Sequence, residues 1–243
     1  MSRRSRRLPK ASDLVVSALR DRIINQQLPV GSRLPSETEL MEELDIGRVT
    51  VREGLRLMER DGLLEVRRGT TGGNFVSHPD IEQVSESISV LLGIRGTRLR
   101  EFVEFRQLVE PAAAAMAAAR RQPEHEEILA RIEEGDHELA HVPDLHLLIA
   151  RATGNGVLAI ALNSLHHPFS EHFRPTRIGH AEMDVTSAAH AKIARLVRTG
   201  DADGARDAMQ VHLDAYRVWL DEEGLLDEPI IARESWGASS YRH

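Results

Sequence analysis

The chain of 243 residues contains no cysteine, which excludes a disulfide-stapled extracellular scaffold. It has no apolar run approaching the ~18 residues of a membrane-spanning helix. It also lacks a signal-peptide apolar region, because its basic N-terminus leads straight into an ordinary amphipathic segment. These absences predict a soluble, cytoplasmic protein with no membrane partner. Beyond residue 80 no strand-like alternation interrupts the helical pattern, and no long Gly/Ser run separates the front of the chain from its body.

An excess of positive charge is missing as well, since the net charge is -7. Its distribution is uneven. Residues 1–78 carry 14 Lys/Arg against 11 Asp/Glu, a net +3, and the rest carries 17 against 27, a net -10. An acidic body repels phosphate and leaves the basic front to face it. Residues 1–10 (MSRRSRRLPK) hold five basic residues without apolar periodicity, either a solubilising tail or an arm that contacts phosphates.

The most informative stretch is Asp45 to Arg68, DIGRVTVREGLRLMERDGLLEVRR. At about 100° per residue Val51, Gly54, Leu55 and Met58 share one helical face, while Val49, Arg52, Glu53 and Arg56 point the other way and Arg48 lies on the flank. A turn, Asp45-Ile46-Gly47, precedes this helix. Before the turn comes a shorter helix, opened after Pro35 by the capping box Ser36-Glu37-Thr38-Glu39. That is a helix-turn-helix pattern. A first helix, from Ser12 as N-cap to about Gln27, supplies its floor through Val15, Leu19 and Ile23. Beyond Gly62, Leu63 to Arg67 and Asn74 to Val76 read as two short strands around Arg68-Gly69-Thr70-Thr71-Gly72-Gly73. A hairpin with glycines and Arg68 at its tip is a wing that lets backbone and cation approach a minor groove.

The runs Gly31 to Leu40 (GSRLPSETEL), Arg48 to Arg56 (RVTVREGLR), Asp61 to Leu64 (DGLL) and Gly73 to Val76 (GNFV) resemble the N-terminal domain of GntR-family bacterial transcription regulators. The resemblance covers residues 12–77. It implies that Arg48, Thr50 and Arg52, the R-x-T-x-R pattern, contact an operator and that the wing glycine, Gly69, enters the minor groove. Thr38 stands where the family often has an arginine, which weakens one expected DNA contact. An exposed arginine can donate two parallel bonds to guanine, worth ~1–3 kcal/mol of base discrimination. Arg52 is therefore expected to read bases, Arg48 to read bases or phosphate, and Thr50 to fix register through phosphate.

The remainder reads as helices over Ile81–Leu92, Leu99–Arg121, Glu124–Leu139, Leu145–Ala152, Gly156–Phe173, Met183–Thr199 and Ala202–Leu225. Their breakers are Gly93/Gly96, Pro123, Pro143, Gly154, Pro175/Gly179 and Gly200. The expected fold is mainly α: a winged helix-turn-helix, then an antiparallel all-α bundle of about seven helices with room for a central cavity. The expected domains are a basic arm, 1–11; the DNA-binding domain, 12–78; an effector-binding and dimerisation domain, 79–228; and a tail, 229–243.

Within the bundle His146, His190 and His212 stand out among 12 histidines. The last two helices meet at the tight Gly200-Asp201 turn. His190 lies ten residues before that turn and His212 twelve after it, so at ~1.5 Å per residue they sit at nearly equal height. Imidazoles converging from facing helices suit zinc, nickel or manganese-like ions; with so many histidines, a chance meeting is the alternative.

Glu104 to Pro111 (EFRQLVEP), Leu145-His146 followed by Gly154-Asn155, and His190 through Gly200-Asp201 to His212 resemble the FCD effector domain of the FadR branch of GntR regulators, over residues 84–222. The resemblance implies a divalent metal held by one aspartate and three histidines beside a small carboxylate ligand. His146, His190 and His212 match the histidines. The aspartate position, four before the first histidine, is Val142. Asp144 or His141 is a doubtful substitute, and a three-histidine site completed by water or ligand is the favoured form. Arg106 is the candidate partner for an effector carboxylate, the alternative being an internal salt bridge to a glutamate on its own helix; Asn155 is a second candidate effector contact. Fatty acid or acyl-CoA without metal is the alternative effector.

The combined expectation is a ligand-responsive regulator, a repressor, that binds a palindromic operator as a homodimer, because one small winged domain offers few contacts and two-fold proteins read symmetric half-sites. It is not expected to be an enzyme. A metal-dependent helical-bundle hydrolase is the rival, disfavoured by the lack of a helical His-Glu pair suited to general-base work.

Overall fold

The computed structural model describes residues 10–69, 72–79, 81–135, 143–170 and 180–231. The chain divides into two compact units, Met1–Asp80 and Ile81–His243. The first holds α1 (Ala11–Asn25), α2 (Glu37–Leu44), α3 (Arg48–Arg60) and an antiparallel hairpin of β1 (Leu64–Arg67) and β2 (Gly73–Val76). The hairpin register pairs Leu64 with Val76 and Arg67 with Gly73. Helices α1, α2 and α3 close over Val15, Leu19, Leu34, Leu40, Val51, Leu55 and Met58, with Leu64 and Val76 sealing the core from the hairpin side.

Local chemistry accounts for the helix ends. Ser36 caps α2: its Oγ accepts from the Glu39 amide at 3.3 Å, and the Glu39 carboxylate accepts from the Ser36 amide at 2.7 Å. The start of α1 differs from the expected one. Lys10 is its N-cap, and the Asp13 carboxylate accepts from the Lys10 backbone amide at 2.9 Å. Ser12 is instead buried inside the first turn. The buried face of α3 consists of Val51, Gly54, Leu55 and Met58. Gly54 is there for space, because a Cβ at this position would lie 2.5 Å from the Val15 Cβ.

The second unit contains seven helices among the described residues: α4 (Ile81–Arg95), α5 (Leu99–Arg120), α6 (Glu126–Glu133), α7 (Pro143–Ala152), α8 (Gly156–Ser170), α9 (His180–Thr199) and α10 (Ala202–Glu222). The central element is α5, which packs on α7, α9 and α10. Its stripe of Ala113, Ala114, Ala117 and Ala118 meets Leu145, Ile149, Ile193, Val197, Met209 and Leu213 in one buried cluster. Small side chains there let helix axes approach closely enough for their neighbours to interdigitate.

Several boundaries moved. Gly93 does not stop α4, which ends at the left-handed Gly96; the segment expected to run to Leu139 is a 3-10 turn at Pro123–His125 and then α6, ended by the left-handed Gly135. Pro143 opens α7 rather than breaking it, since a first-turn proline loses no intrahelical hydrogen bond. Residues 136–142, with His141 and Val142, lie outside the described residues, as do 1–9, the end of the helix expected to reach Phe173, and 232–243. Packing continues past residue 228: Ile230 is buried and its amide donates to the Thr97 carbonyl at 2.9 Å. Among the described residues no helix is long and apolar enough to cross a membrane.

The tight α1–α3 contact generates a test. Gly54→Val forces α3 away from Val15, an overpacking that costs about 1–3 kcal/mol. Hydrogen exchange at the α3 amides of the full chain is expected to accelerate roughly ten- to hundredfold. Unchanged exchange would show that the contact has slack.

Candidate DNA interface and histidine cluster

The winged unit presents its cations on one helix and one loop. In α3, Arg48, Val49, Arg52 and Arg56 are exposed and Thr50 is half-buried, while the opposite face is in the core. Arg52 is not a loose side chain. Its Nε donates to both Glu37 carboxylate oxygens at 2.9 and 3.0 Å, across from the first turn of α2. An exposed pair of this kind adds little stability, about 0–1 kcal/mol. Its effect is to aim the guanidinium. The sequence reading did not anticipate Glu37 in this role, although an acidic first-turn residue in the preceding helix was visible.

At the hairpin, Arg68 and Gly69 are exposed, and Gly69 has φ 109°, a conformation that favours glycine. Gly72 has no room for a side chain, since a Cβ would lie 2.4 Å from the Arg67 carbonyl oxygen. Thr70 and Thr71 lie outside the described residues. Arg67 lies over the Phe75 ring, 4.4 Å from its centre, and Arg33 Nη2 donates to the Gly72 carbonyl at 3.4 Å. The described part of the wing is therefore glycine-rich and flanked by cations.

In the second unit, α7, α9 and α10 bring His146, His190 and His212 together. One donor nitrogen from each falls within 4.8 Å of the others. The ring centres are 5.2 Å apart for His146–His190, 5.3 Å for His146–His212 and 4.8 Å for His190–His212. His190 Nε2 and His212 Nε2 are 3.3 Å apart. That separation matches the edge of a tetrahedron with ligands at ~2.0–2.1 Å, about 3.3–3.4 Å. His146 Nε2 is buried and has no hydrogen-bond partner among the described residues. A buried imidazole nitrogen left in this way loses its hydration without return unless something else binds it. The set fits a divalent ion, for which it offers three imidazole nitrogen donors.

Behind the cluster runs a buried ionic chain. Glu110 accepts from Arg106 Nε at 2.6 Å and Nη2 at 3.3 Å, and Glu110 Oε2 lies 2.5 Å from His146 Nδ1. All three side chains are 6% exposed or less. Of the two roles considered for Arg106, the structure contains the internal salt bridge, made to Glu110 rather than the exposed Glu104. Glu110 is one of the glutamates on the helix of Arg106, and its second contact, to His146, was not expected. Its i,i+4 spacing from Arg106 was the available signal. Asn155 is half-buried and its side-chain oxygen accepts from the Val157 and Leu158 amides at 3.0 and 3.4 Å, so it caps α8. Asp144 sits in the first turn of α7, where its side chain lies outside the described part.

Burial sets the charge states. Desolvation, reinforced by the nearby His146 and Arg106, pushes the His212 imidazole down to about 3, and desolvation outweighs Glu110 in lowering His146. For Glu110, burial works against ionisation, but Arg106 and His146 outweigh it and hold the carboxyl well below the usual range. Burial also raises the Tyr216 phenol, whose ring lies 5.8 Å from the Arg106 guanidinium carbon. Near neutral pH the His146 and His212 rings are neutral, and His146 is backed by a paired carboxylate.

Two-part architecture of this kind, a winged helix-turn-helix ahead of an all-α bundle, defines a DNA-binding transcription regulator. Residues 11–73 match the family model described as bacterial regulatory proteins, gntR family, and residues 101–215 match the FCD domain. The chain is 30% identical over 207 residues to the HTH-type transcriptional regulator LutR of Bacillus subtilis strain 168, covering 79% of this chain and 92% of that one. It is 28% identical over 222 residues to the HTH-type transcriptional repressor NanR of Enterobacter sp. strain 638, covering 85% and 84%. A solved Streptococcus agalactiae GntR structure superposes with a TM-score of 0.61 at 25% identity, covering 85% of this chain and 99% of that one. The chain belongs to the GntR family of transcription regulators, in its FCD-containing branch. These families and relatives are regulators, not enzymes.

A pH dependence follows from the buried rings. The unfolded chain protonates His212 below about 6.5, its ordinary value, whereas the folded chain resists protonation down to about 3. Protons therefore favour unfolding across that window: the stability is fully present above about pH 6.5 and is lost as pH falls. The melting temperature of metal-free protein is expected to drop between pH 7.5 and 5, and less steeply in His212→Gln. Equal slopes for the two proteins would contradict the assignment.

Proposed function

We propose that this regulator is a repressor that binds a palindromic operator as a homodimer and is released by a small carboxylate bound beside a divalent metal on His146, His190 and His212. The observation that carries the effector part is the convergence of three imidazoles from three helices, two buried and one half-buried, with an unpartnered buried nitrogen on His146. Bound there, such an ion would supply a Lewis-acidic centre for an anionic oxygen. The repressor sign draws support from the relative named as a transcriptional repressor. The family's occupation with DNA supports a cytoplasmic location.

In this proposal Arg52 reads a base edge, Arg48 a base or phosphate, Thr50 a phosphate, and Arg68 with Gly69 enters the minor groove. Arg106 addresses the effector only as part of its pair with Glu110. Asn155 enters as the cap of α8. Control is a population shift, in which effector binds the DNA-incompetent arrangement more tightly than the competent one.

Metal content of untagged protein purified without chelator, measured by elemental mass spectrometry, is expected to be near one per chain and to be lost in His146→Ala and His212→Ala. Operator duplexes selected from a random pool should bind the full chain and be released by a small carboxylate. Release by acyl-CoA alone, without metal, would replace this effector with the apolar alternative. Arg52→Ala should weaken operator binding by ~1–3 kcal/mol and relax the preference at one base pair per half-site. A uniform loss across sequences would move Arg52 to the phosphate class.

A further inference from the structure

We propose that Glu110 is the positioning residue of the histidine cluster: clamped by Arg106, its carboxylate holds the His146 ring with hydrogen on Nδ1 and turns Nε2 toward His190 and His212. As far as metal is concerned, this rests on the proposal above that the cluster binds a divalent ion.

The geometry makes the case in three steps. A carboxylate that receives two N–H groups of Arg106, at 2.6 and 3.3 Å, is an acceptor only. At 2.5 Å from His146 Nδ1 it therefore requires the ring hydrogen on that nitrogen. The neutral ring then has its lone pair on Nε2, the atom that is buried and lacks a hydrogen-bond partner among the described residues, in a ring whose centre lies 5.2 Å from that of His190 and 5.3 Å from that of His212. Without Glu110 nothing described on the Nδ1 side selects this tautomer, and the ring could present N–H to the cluster instead, which cannot ligate.

Arg106 contributes by removing freedom from Glu110. Both residues lie on α5, one helical turn apart, while His146 comes from α7, so the chain ties the cluster to the central helix of the bundle. A hydrogen-bonded carboxylate behind a ligating histidine also raises its basicity, and loss of such a partner lowers metal affinity typically 10–100-fold.

Two measurements on the full chain test this. In metal-free wild type, long-range proton–nitrogen correlation spectra, with His146 identified by its absence in His146→Gln, should show hydrogen on Nδ1 and a bare Nε2. Hydrogen on Nε2 overturns the proposal, and this needs no Glu110 variant to fold. Zinc titration against a chromophoric chelator should then give affinity roughly ten- to hundredfold weaker for Glu110→Ala. Glu110→Gln should recover part of the loss, because its amide oxygen still accepts from Nδ1–H. A purely structural role for Glu110 would shift melting temperatures without that ordering, and zinc affinity in folded Glu110→Ala equal to wild type overturns the proposal. If wild type takes up no zinc, the metal proposal fails by itself while the tautomer still decides the role of Glu110.

Discussion

The second unit depends on a buried ion pair tied to a buried ring. Arg106, Glu110 and His146 are nearly inaccessible to solvent, in a bundle whose main buried cluster is built from alanine, leucine, isoleucine, valine and methionine. Removing a carboxylate and a guanidinium from water carries a penalty of several kcal/mol per ion, which their attraction offsets only when geometry is good and remaining valences are satisfied. The guanidinium addresses the carboxylate through two nitrogens, and His146 adds a third contact to it. Well-packed apolar residues of similar volume could stabilise such a core at least as well. Its retention of charge is therefore better explained by what the chain does to His146 than by stability. Cutting it at Glu110 would strand the arginine and free the ring together.

The first unit solves a different problem, since it must be rigid behind and chemically free in front. Gly54 lets α3 approach α1 so closely that Val15 fills the space a side chain would take. The apolar face of α3 is thereby fixed, and its polar face inherits that rigidity. Glu37 then limits Arg52 further. Pre-ordering a long side chain reduces the conformational entropy lost on binding, at about 0.5–1.5 kcal/mol per immobilised side chain. Against this, a carboxylate beside the guanidinium offsets its positive charge, so the pair favours direction over raw attraction. That is a sensible exchange for a residue expected to distinguish bases.

How far the sequence could be read differed between the units for physical reasons. The buried face of α3, the Ser36 capping box and the two short strands rest on local periodicity and on residues at most three apart, and the fold follows them closely. The convergence of His190 and His212 came from simple helix arithmetic across the Gly200-Asp201 turn, because a tight turn fixes relative height. His146 had no such arithmetic, since its helix reaches the cluster through intervening elements; resemblance supplied it. Glu110 was legible as an i,i+4 partner of Arg106 but not as a partner of His146, a contact 36 positions away in the chain. The cap of α1 was misassigned because Ser12 has the preferred chemistry, whereas the Asp13 carboxylate bonding the Lys10 amide needs only a backbone donor at the N-cap. Gly93 and Pro143 were read as breakers from residue type alone, when position within the turn decides their effect.

Charge accounting connects the histidine cluster to the kind of ligand proposed for it. Imidazoles ligate a metal in their neutral form and contribute no charge, and the negative charge of Glu110 is already matched by Arg106. Among the described residues no other carboxylate joins the group of candidate ligands. A divalent cation held by such a set would retain nearly its whole charge in a region of low dielectric, where an unbalanced charge is expensive. An anionic ligand relieves that cost directly, whereas a neutral one leaves it in place. Metal and carboxylate would then each bind more tightly in the presence of the other, by the reciprocity that governs any pair of coupled ligands. The coupling acts on the anionic head group of a ligand and not on an apolar chain, so what these residues select for is the charge of the ligand.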